Sequence, residues 1–528
     1  MPRVSPIIVG AFSVLASILA VASLFVFAPA DLSTFQEDVA LGVRNPFVSL
    51  VGVATLSGVL LLVSSVAVKS GSDAGAQKRQ MRVAVTACTL LLVTLGVLWT
   101  GLNPCMPYAD QLKVWELASL LSGMPLPDTD MQELADYMNH YPPQRRMALA
   151  FSLLFRLLHS NSLYVASVLN VASLAWICLA LCGLTWRLTR KPRAVVICAC
   201  SITLFAPIIL YTSFFYTTLL SAAMVFTAFL GLVAYLQEQR SPYLIALVLL
   251  PLANLLYTGT IIATAATCFA LTMYLLEQRR EGRHSYLALA SLALLPLLFL
   301  GLTTLSDRAV DTMFQPAIGD GVPALAYVSM GMTSDSPTAV CGAGGFDGSN
   351  YALLDEHGMD TAKTSQAARE RIATAIKQYA TGERSLLFFA CKTGHQWLDP
   401  WFSSTCLTCY LSGNQDAPSF ANQLSSSGVF GATQLVLSFF LSMVYTFAGA
   451  GALFKLRTKE LAPSHLVLEA FFLLGFCFLM VWEQKARYGL PYFLALIPLA
   501  ALGIDCLGSV LRKRIDSLRA AHPSRPTS

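Results

Sequence analysis

Asp110 is the side chain of this sequence best placed by type and surroundings to do chemistry. It sits in Asn103-Pro-Cys-Met-Pro-Tyr-Ala-Asp-Gln111, a polar stretch between two apolar segments, and is followed at a distance by Tyr141-Pro-Pro-Gln-Arg-Arg146. A carboxylate just beyond a membrane-sized apolar run can take a proton, and arginines beside it can hold an anion with their planar fork of donors. Two further polar clusters interrupt a chain that otherwise avoids ionisable groups: Lys392-Thr-Gly-His395-Gln-Trp397-Leu-Asp-Pro400 and Glu483-Gln-Lys-Ala-Arg487-Tyr488-Gly-Leu-Pro491. Charges of this kind next to a bilayer point to work at its surface.

The elements that must position these residues are helices in lipid. The 528 residues are 55% hydrophobic and only 12% charged, with a mean hydropathy of +0.61, which excludes a water-soluble globule. Apolar runs long enough to cross the hydrocarbon fall near 7–28, 47–68, 82–101, 161–186, 194–210, 213–235, 242–257, 259–276, 286–304, 428–454, 464–482 and 488–511, giving about twelve transmembrane helices. The first run ends in Ala28-Pro29-Ala30, a possible mimic of a signal cleavage site. Its apolar stretch is longer than a signal core, so an uncleaved helix is expected.

Lys and Arg in the short connections set the orientation. Lys69, Lys78, Arg79 and Arg82 mark one side, as do Arg187, Arg190, Lys191 and Arg193, then Arg279, Arg280 and Arg283, then Lys455, Arg457 and Lys459, and finally Arg512-Lys513-Arg514. They fall on alternate connections. Both termini are therefore expected in the cytoplasm, with Asp110 and the segment 305–427 outside. The net charge of +5 records this bias and carries no signal for nucleic acid.

In the outer loop 102–160, Val114, Leu117, Leu120 and Leu121, beside Trp115 and Ala118, predict a short amphipathic helix, and Met147 to Leu158 a second one; both are expected to lie along the membrane surface. The segment 305–427 turns soluble in composition and predicts a small extracytoplasmic domain between the ninth and tenth spans. Gly342, Gly344, Gly345 and Gly348 suggest turns there, Thr364 to Tyr379 a helix through Ala368, Ile372, Ala375, Ile376 and Tyr379, and Leu386 to Lys392 a return toward the bilayer. Of the 13 cysteines, those at 88, 178, 182, 198, 200, 268, 477 and 506 fall in or near spans, where Cys packs as a small apolar residue. Cys105, Cys341, Cys391, Cys406 and Cys409 fall outside, where disulfides persist. Cys406-Leu-Thr-Cys409 alone is a weak zinc signal; a disulfide or no bond is expected there.

Read together, the three outer clusters give the chain a resemblance to GT-C glycosyltransferases, in the bacterial branch of the protein mannosyltransferases and the lipid A aminoarabinose transferase. The likeness runs from about residue 85 to the end, and its detail is best around Asp110 and Arg487-Tyr488. It implies an all-α, GT-C-like polytopic fold. The parts expected are an added N-terminal helix pair (1–81), a transmembrane core (82–304), the extracytoplasmic domain (305–427), and three C-terminal helices with a basic tail (428–528). It also implies transfer of a sugar from a polyprenyl-phosphate donor to an envelope glycan, lipid or protein acceptor at the outer face of the plasma membrane.

On this resemblance Asp110 is the catalytic base, and Arg145, Arg146, Lys392 and Arg487 are candidates to hold the donor phosphate. Tyr141, Tyr488, Glu116, His395 and Trp397 are further substrate-site candidates. Protein mannosyltransferases carry an Asp-Glu pair where this chain has Asp110-Gln111. A divalent metal therefore has no clear ligand set, and the cofactor is left open. Each residue also has an ordinary reading: Asp110 as a helix N-cap, the arginines and Trp397 as interface anchors, His395 as a hydrogen-bonded histidine, Glu483 as a partner for Arg487. Two other classes fit the composition, a lipid-linked sugar flippase or transporter and an envelope polysaccharide polymerase or ligase. The transporter is expected to show polar or broken helices near the bilayer midplane.

Overall fold

The computed structural model describes residues 4–28, 41–69, 71–104, 107–126, 129–314, 319–336, 342–410, 427–459 and 461–521. The chain is an all-α integral membrane protein. Among the described residues nine helices are long and apolar enough to span a bilayer, and a tenth span forms if one pair bent by 56° is counted together. The long ones are α1 (Val4–Phe25), α2 (Pro46–Ala67), α3 (Ala74–Leu102), α7 (Tyr164–Thr189), α10 (Thr218–Glu238), α12 (Ile261–Arg280), α13 (Tyr286–Met313), α18 (Gly428–Thr458) and α20 (Ala486–Ala521). The bent pair is α8 (Pro192–Leu204) with α9 (Ala206–Leu210), which breaks before Ala206-Pro207, where proline removes a backbone donor. The two remaining predicted runs, 242–257 and 464–482, are shorter apolar helices: a 3-10 segment Ser241–Val248 continuing into α11 (Leu249–Leu256), and α19 (Val467–Val481). All twelve apolar runs of the sequence are helical, but two are too short to cross unaided.

Local signals explain several boundaries. Asn45 caps α2 through Phe47 N–H with Pro46 in the first turn, and Asp73 caps α3 through Ala76 N–H. The most enclosed spans are α10 and α20, each 72% buried, whereas α13 is 11% buried and turns most of its leucines outward, so α10 and α20 lie at the centre of the bundle and α13 at its periphery. Helices α18 and α20 approach through glycines: a Cβ at Gly503 would stand 2.1 Å from Phe447 O, and one at Gly451 2.7 Å from Leu499 O. Such small residues let helices meet where no hydrophobic force drives them together. The N-terminal pair is built into this unit. Ser13 Oγ donates to Gly449 O at 3.3 Å, and Phe439 covers Gly52.

The basic connections meet at one end of the bundle. Arg193 donates to Val68 O, Lys191 pairs with Asp505 at 3.6 Å, and the buried Lys455–Glu469 pair closes at 2.6 Å. At the other end lie α4 (Asp110–Ser122), α5 (Met131–His140) and α6 (Pro142–Leu158), with α14 (Ala324–Thr333), α15 (Ser349–Glu356), α16 (Thr361–Thr381) and α17 (Leu387–Trp397). Val322, Ala326, Leu353, Leu354 and Ala368 give the later helices a small core of their own. Helix α16 follows its predicted spacing through Ala368 and Ala375, but Ile376 is 55% exposed and lies off the buried face. Gly344 (φ 75°) and Gly348 (φ 80°) make the predicted turns in the left-handed region that favours glycine. Both predicted surface helices of the first loop form. Helix α4, however, buries Val114, Leu117, Ala118 and Leu121 at no more than 4% exposure against α6, so it is packed in protein and not laid open on a lipid surface. Cys391 is disulfide-bonded. The calls on Cys105 and Cys341, and on the side chain of Cys409, lie outside the described residues.

Candidate functional site

Asp110 opens α4, and the residue before it, Ala109, has φ 48° and ψ −121°, a conformation costly for a residue with a Cβ. No side chain caps this helix. The carboxylate is turned away from the capping position: Oδ1 accepts from the Tyr137 hydroxyl at 2.6 Å, and Oδ2 faces Arg487 Nη2 at 3.8 Å. The N-cap reading of Asp110 is thus not the observed one. Tyr137 comes from α5, the next helix in the chain, and Arg487 from the first turn of α20, so one neighbouring and one distant element hold the carboxylate of α4. Its side chain stays 35% accessible because it borders a cavity of about 610 Å³.

The cavity is apolar over most of its wall, with Met147, Ala222, Val225, Leu256, Phe299, Ile261, Phe471 and Leu479 among its lining. Polar groups converge in the rest: Asp110, Gln111, Tyr141, Gln144, Tyr216, Asn254, Tyr257, Glu483, Lys485, Arg487 and Tyr488. Gln144 Nε2 donates to the Tyr216 hydroxyl at 2.6 Å, and Gln111 Oε1 accepts from Phe215 N–H at 3.0 Å. Gln111, next to Asp110, therefore works as a backbone clamp. Lys485 pairs with Glu483 at 3.2 Å and lies over the Phe346 ring at 5.2 Å, while Tyr488 donates to Glu483 at 3.2 Å. Gln396 fixes the Lys485 backbone from both sides, donating to its carbonyl at 2.6 Å and accepting from its N–H at 3.2 Å. Burial and the neighbouring Asp110 carboxylate push the Tyr141 phenol up, so it stays neutral.

Of the sequence-predicted residues, Asp110, Arg487, Tyr488 and Tyr141 share this cavity, and the others do not line it. Arg145 donates to Met138 O at 2.9 and 2.7 Å and to Gly319 O at 2.6 Å, and so ties the end of α5 to the segment after α13. Arg146 grips Asp307 with both fork donors, at 2.8 and 3.0 Å. Glu116 pairs with Lys113 at 3.3 Å, which also holds Glu133 at 2.9 Å. Lys392 is buried and donates to Gly331 O and Trp482 O, two carbonyls at helix ends, and burial brings its ammonium down to about 7. His395 and Trp397 are 2% and 0% exposed; burial lowers His395 to about 4, and Trp397 stacks with Phe476. These six are framework around the site.

Tyr216, Gln144, Asn254, Tyr257 and Lys485, which line the cavity, and Tyr137, which bonds Asp110, carry no motif in the sequence that singles them out. Lys485 was the most legible, standing two residues before Arg487 in the same polar cluster. Tyr137 lies one helical turn before Tyr141, their rings 4.8 Å apart. Among the described residues no three His, Cys, Asp or Glu side chains are grouped so as to hold a metal ion. Together the helices define an integral membrane protein with an internal cavity at the end opposite its basic connections. No protein-family model and no curated protein matches this chain.

Proposed function

We propose that the protein is a membrane glycosyltransferase that moves a sugar from a polyprenyl-phosphate donor to an envelope glycan, lipid or protein acceptor at the outer face of the plasma membrane. The observation that carries this reading is the Asp110 carboxylate, held by Tyr137 and facing Arg487, at the polar end of a largely apolar cavity. An apolar wall suits the lipid chain, the cations suit the phosphate, and the carboxylate suits the acceptor hydroxyl. The GT-C resemblance points to the same assignment.

In this reaction the acceptor oxygen attacks the sugar C1 while Asp110 takes its proton. The bond from C1 to the phosphate oxygen breaks, and the polyprenyl phosphate leaves with the electron pair. Attack opposite the leaving group inverts the anomeric centre. Arg487 and Lys485 stabilise the growing phosphate charge, helped by the N-terminus of α20, whose first-turn amides and dipole favour an anion. A phosphate at Arg487 competes with Asp110 for the guanidinium and frees the carboxylate to act as base. Tyr137 keeps the other carboxylate oxygen oriented.

The test is to reconstitute purified protein with polyprenyl-phosphate sugars and envelope acceptors and to measure product mass and release of polyprenyl phosphate. One added sugar with inverted anomeric configuration is expected, and an added oligosaccharide makes the protein a polymerase or ligase. A second reading, a lipid-linked sugar flippase, is favoured by the 56° break between α8 and α9 and by the interrupted segment 241–260. It predicts movement of intact donor across the vesicle membrane with no product.

A further inference from the structure

We propose that Asn254 reads the transferred sugar through two neighbouring hydroxyl groups, and so sets which sugar the donor carries. The inference rests on the polyprenyl-phosphate donor reading and adds the residue that recognises the sugar. Asn254 is the polar member of Leu249-Leu-Pro-Leu-Ala-Asn-Leu-Leu256, and it is 1% exposed. Its side chain lines the cavity, yet neither Nδ2 nor Oδ1 has a hydrogen-bond partner among the described residues. A buried amide with both ends unsatisfied is costly to the fold, and leucine would carry no such cost there.

The chemistry of the missing partner follows from the amide. It presents one acceptor and a pair of donors side by side. A phosphate only accepts and leaves Oδ1 unmet; an ammonium only donates and leaves Nδ2 unmet; a prenyl chain satisfies neither. Adjacent hydroxyls on a sugar ring do both, one donating to Oδ1 and the other accepting from Nδ2. Asn254 also stands on α11, while the carboxylate and guanidinium stand on α4 and α20, so the sugar is read from a different element than the phosphate. Leu256 in the same helix is anchored by Thr217, whose hydroxyl donates to its carbonyl at 2.7 Å, which steadies the element bearing the amide.

The experiment is native mass spectrometry of the detergent-solubilised full chain, titrated with undecaprenyl phosphate and with undecaprenyl-phosphate carriers of mannose, glucose, galactose and arabinose. Wild type is expected to bind at least one sugar carrier about tenfold more tightly than the bare carrier, the size expected of one or two net hydrogen bonds. Asn254→Leu is expected to bind the bare carrier like wild type and to lose the preference. Asn254→Ser, which replaces the amide with a single hydroxyl able to donate and accept, is expected to retain part of it and serves if the leucine variant does not fold. Bare and sugar-bearing carriers binding wild type equally, or a preference that stays undiminished in either variant that folds, overturns the role of Asn254 and leaves the donor reading standing. Wild type binding no polyprenyl phosphate at all overturns the donor reading itself, and this inference with it.

Discussion

Asp110 accepts a 2.6 Å hydrogen bond from Tyr137 and faces Arg487 at 3.8 Å, and each contact assigns a different expected loss. Asp110→Asn keeps the shape and removes the base, so sugar transfer by folded, reconstituted protein is expected to fall by roughly 100- to 10,000-fold while donor binding persists. Wild-type turnover in that variant would make the carboxylate structural. Arg487→Ala is expected to weaken donor use by about 2 kcal/mol, a loss of tens-fold in apparent affinity or turnover, measured with the same donor. His395 gives a stability prediction. Burial holds it at about 4 against 6.5 in the unfolded chain, so as pH falls through that window the unfolded state takes a proton that the folded state refuses. Folding stability is expected to drop by about 3 kcal/mol between pH 6.5 and 4 relative to a His395→Leu variant. Asp399, raised by burial to about 6, works in the opposite direction, and comparing melting temperatures of the two proteins across pH cancels it. Identical pH profiles would remove His395 from the account. At this scale the sequence singled out Asp110 and Arg487 because both stand in polar clusters at the ends of apolar runs. It could not tell that Arg145, Arg146 and Lys392 have protein partners away from the cavity, because a cation at the membrane edge looks the same whether it meets a ligand, a carboxylate or a helix-end carbonyl.

Helices α18 and α20 are held together by contacts that leave no room for a side chain. Gly503→Ala would place a Cβ 2.1 Å from Phe447 O, and forcing backbone apart in a packed interface costs about 1–3 kcal/mol. A lowered melting temperature in detergent is expected. Gly58→Ala in α2, whose Cβ meets nothing within 4 Å, is the matched control and is expected to be neutral or stabilising by about 0.5–1 kcal/mol. Equal effects at the two glycines would refute the close-packing argument. Because α20 carries Arg487 in its first turn, loosening it against α18 is also expected to slow transfer. Hydropathy placed these helices, but it was silent on which of their glycines touch, since a glycine in a lipid-facing wall and one in a helix crossing have the same composition around them. The same silence explains α4, whose apolar stripe was legible while its burial against α6 was not.

The whole molecule keeps its basic connections at one end and its cavity at the other, which gives the orientation a direct test. A Cys replacing the exposed Arg369 is expected to react with membrane-impermeant thiol reagent in intact cells, and a Cys replacing the exposed Ala74 is expected to stay unlabelled until the membrane is opened. Asp360 is less suitable as a probe, because it caps α16 through Ala362 and Lys363 N–H. Labelling of both positions, or of Ala74 alone, would overturn the proposed outer-face reaction.

What the sequence determined by itself is the class: apolar runs because the hydrocarbon core demands them, helical because lipid forces the backbone to satisfy its own hydrogen bonds, with basic residues on alternate connections from the positive-inside bias. It also marked the ends at which polar residues gather. Only the tertiary structure decided which of those residues meet, because Asp110, Tyr137, Asn254 and Arg487 belong to four helices whose spacing along the chain carries no record of their separation in space. The same lipid constraint that writes each helix plainly into the hydropathy leaves helix-to-helix partners to small residues, buried amides and single ion pairs. Those features occupy few positions, and their meaning depends on what stands opposite them.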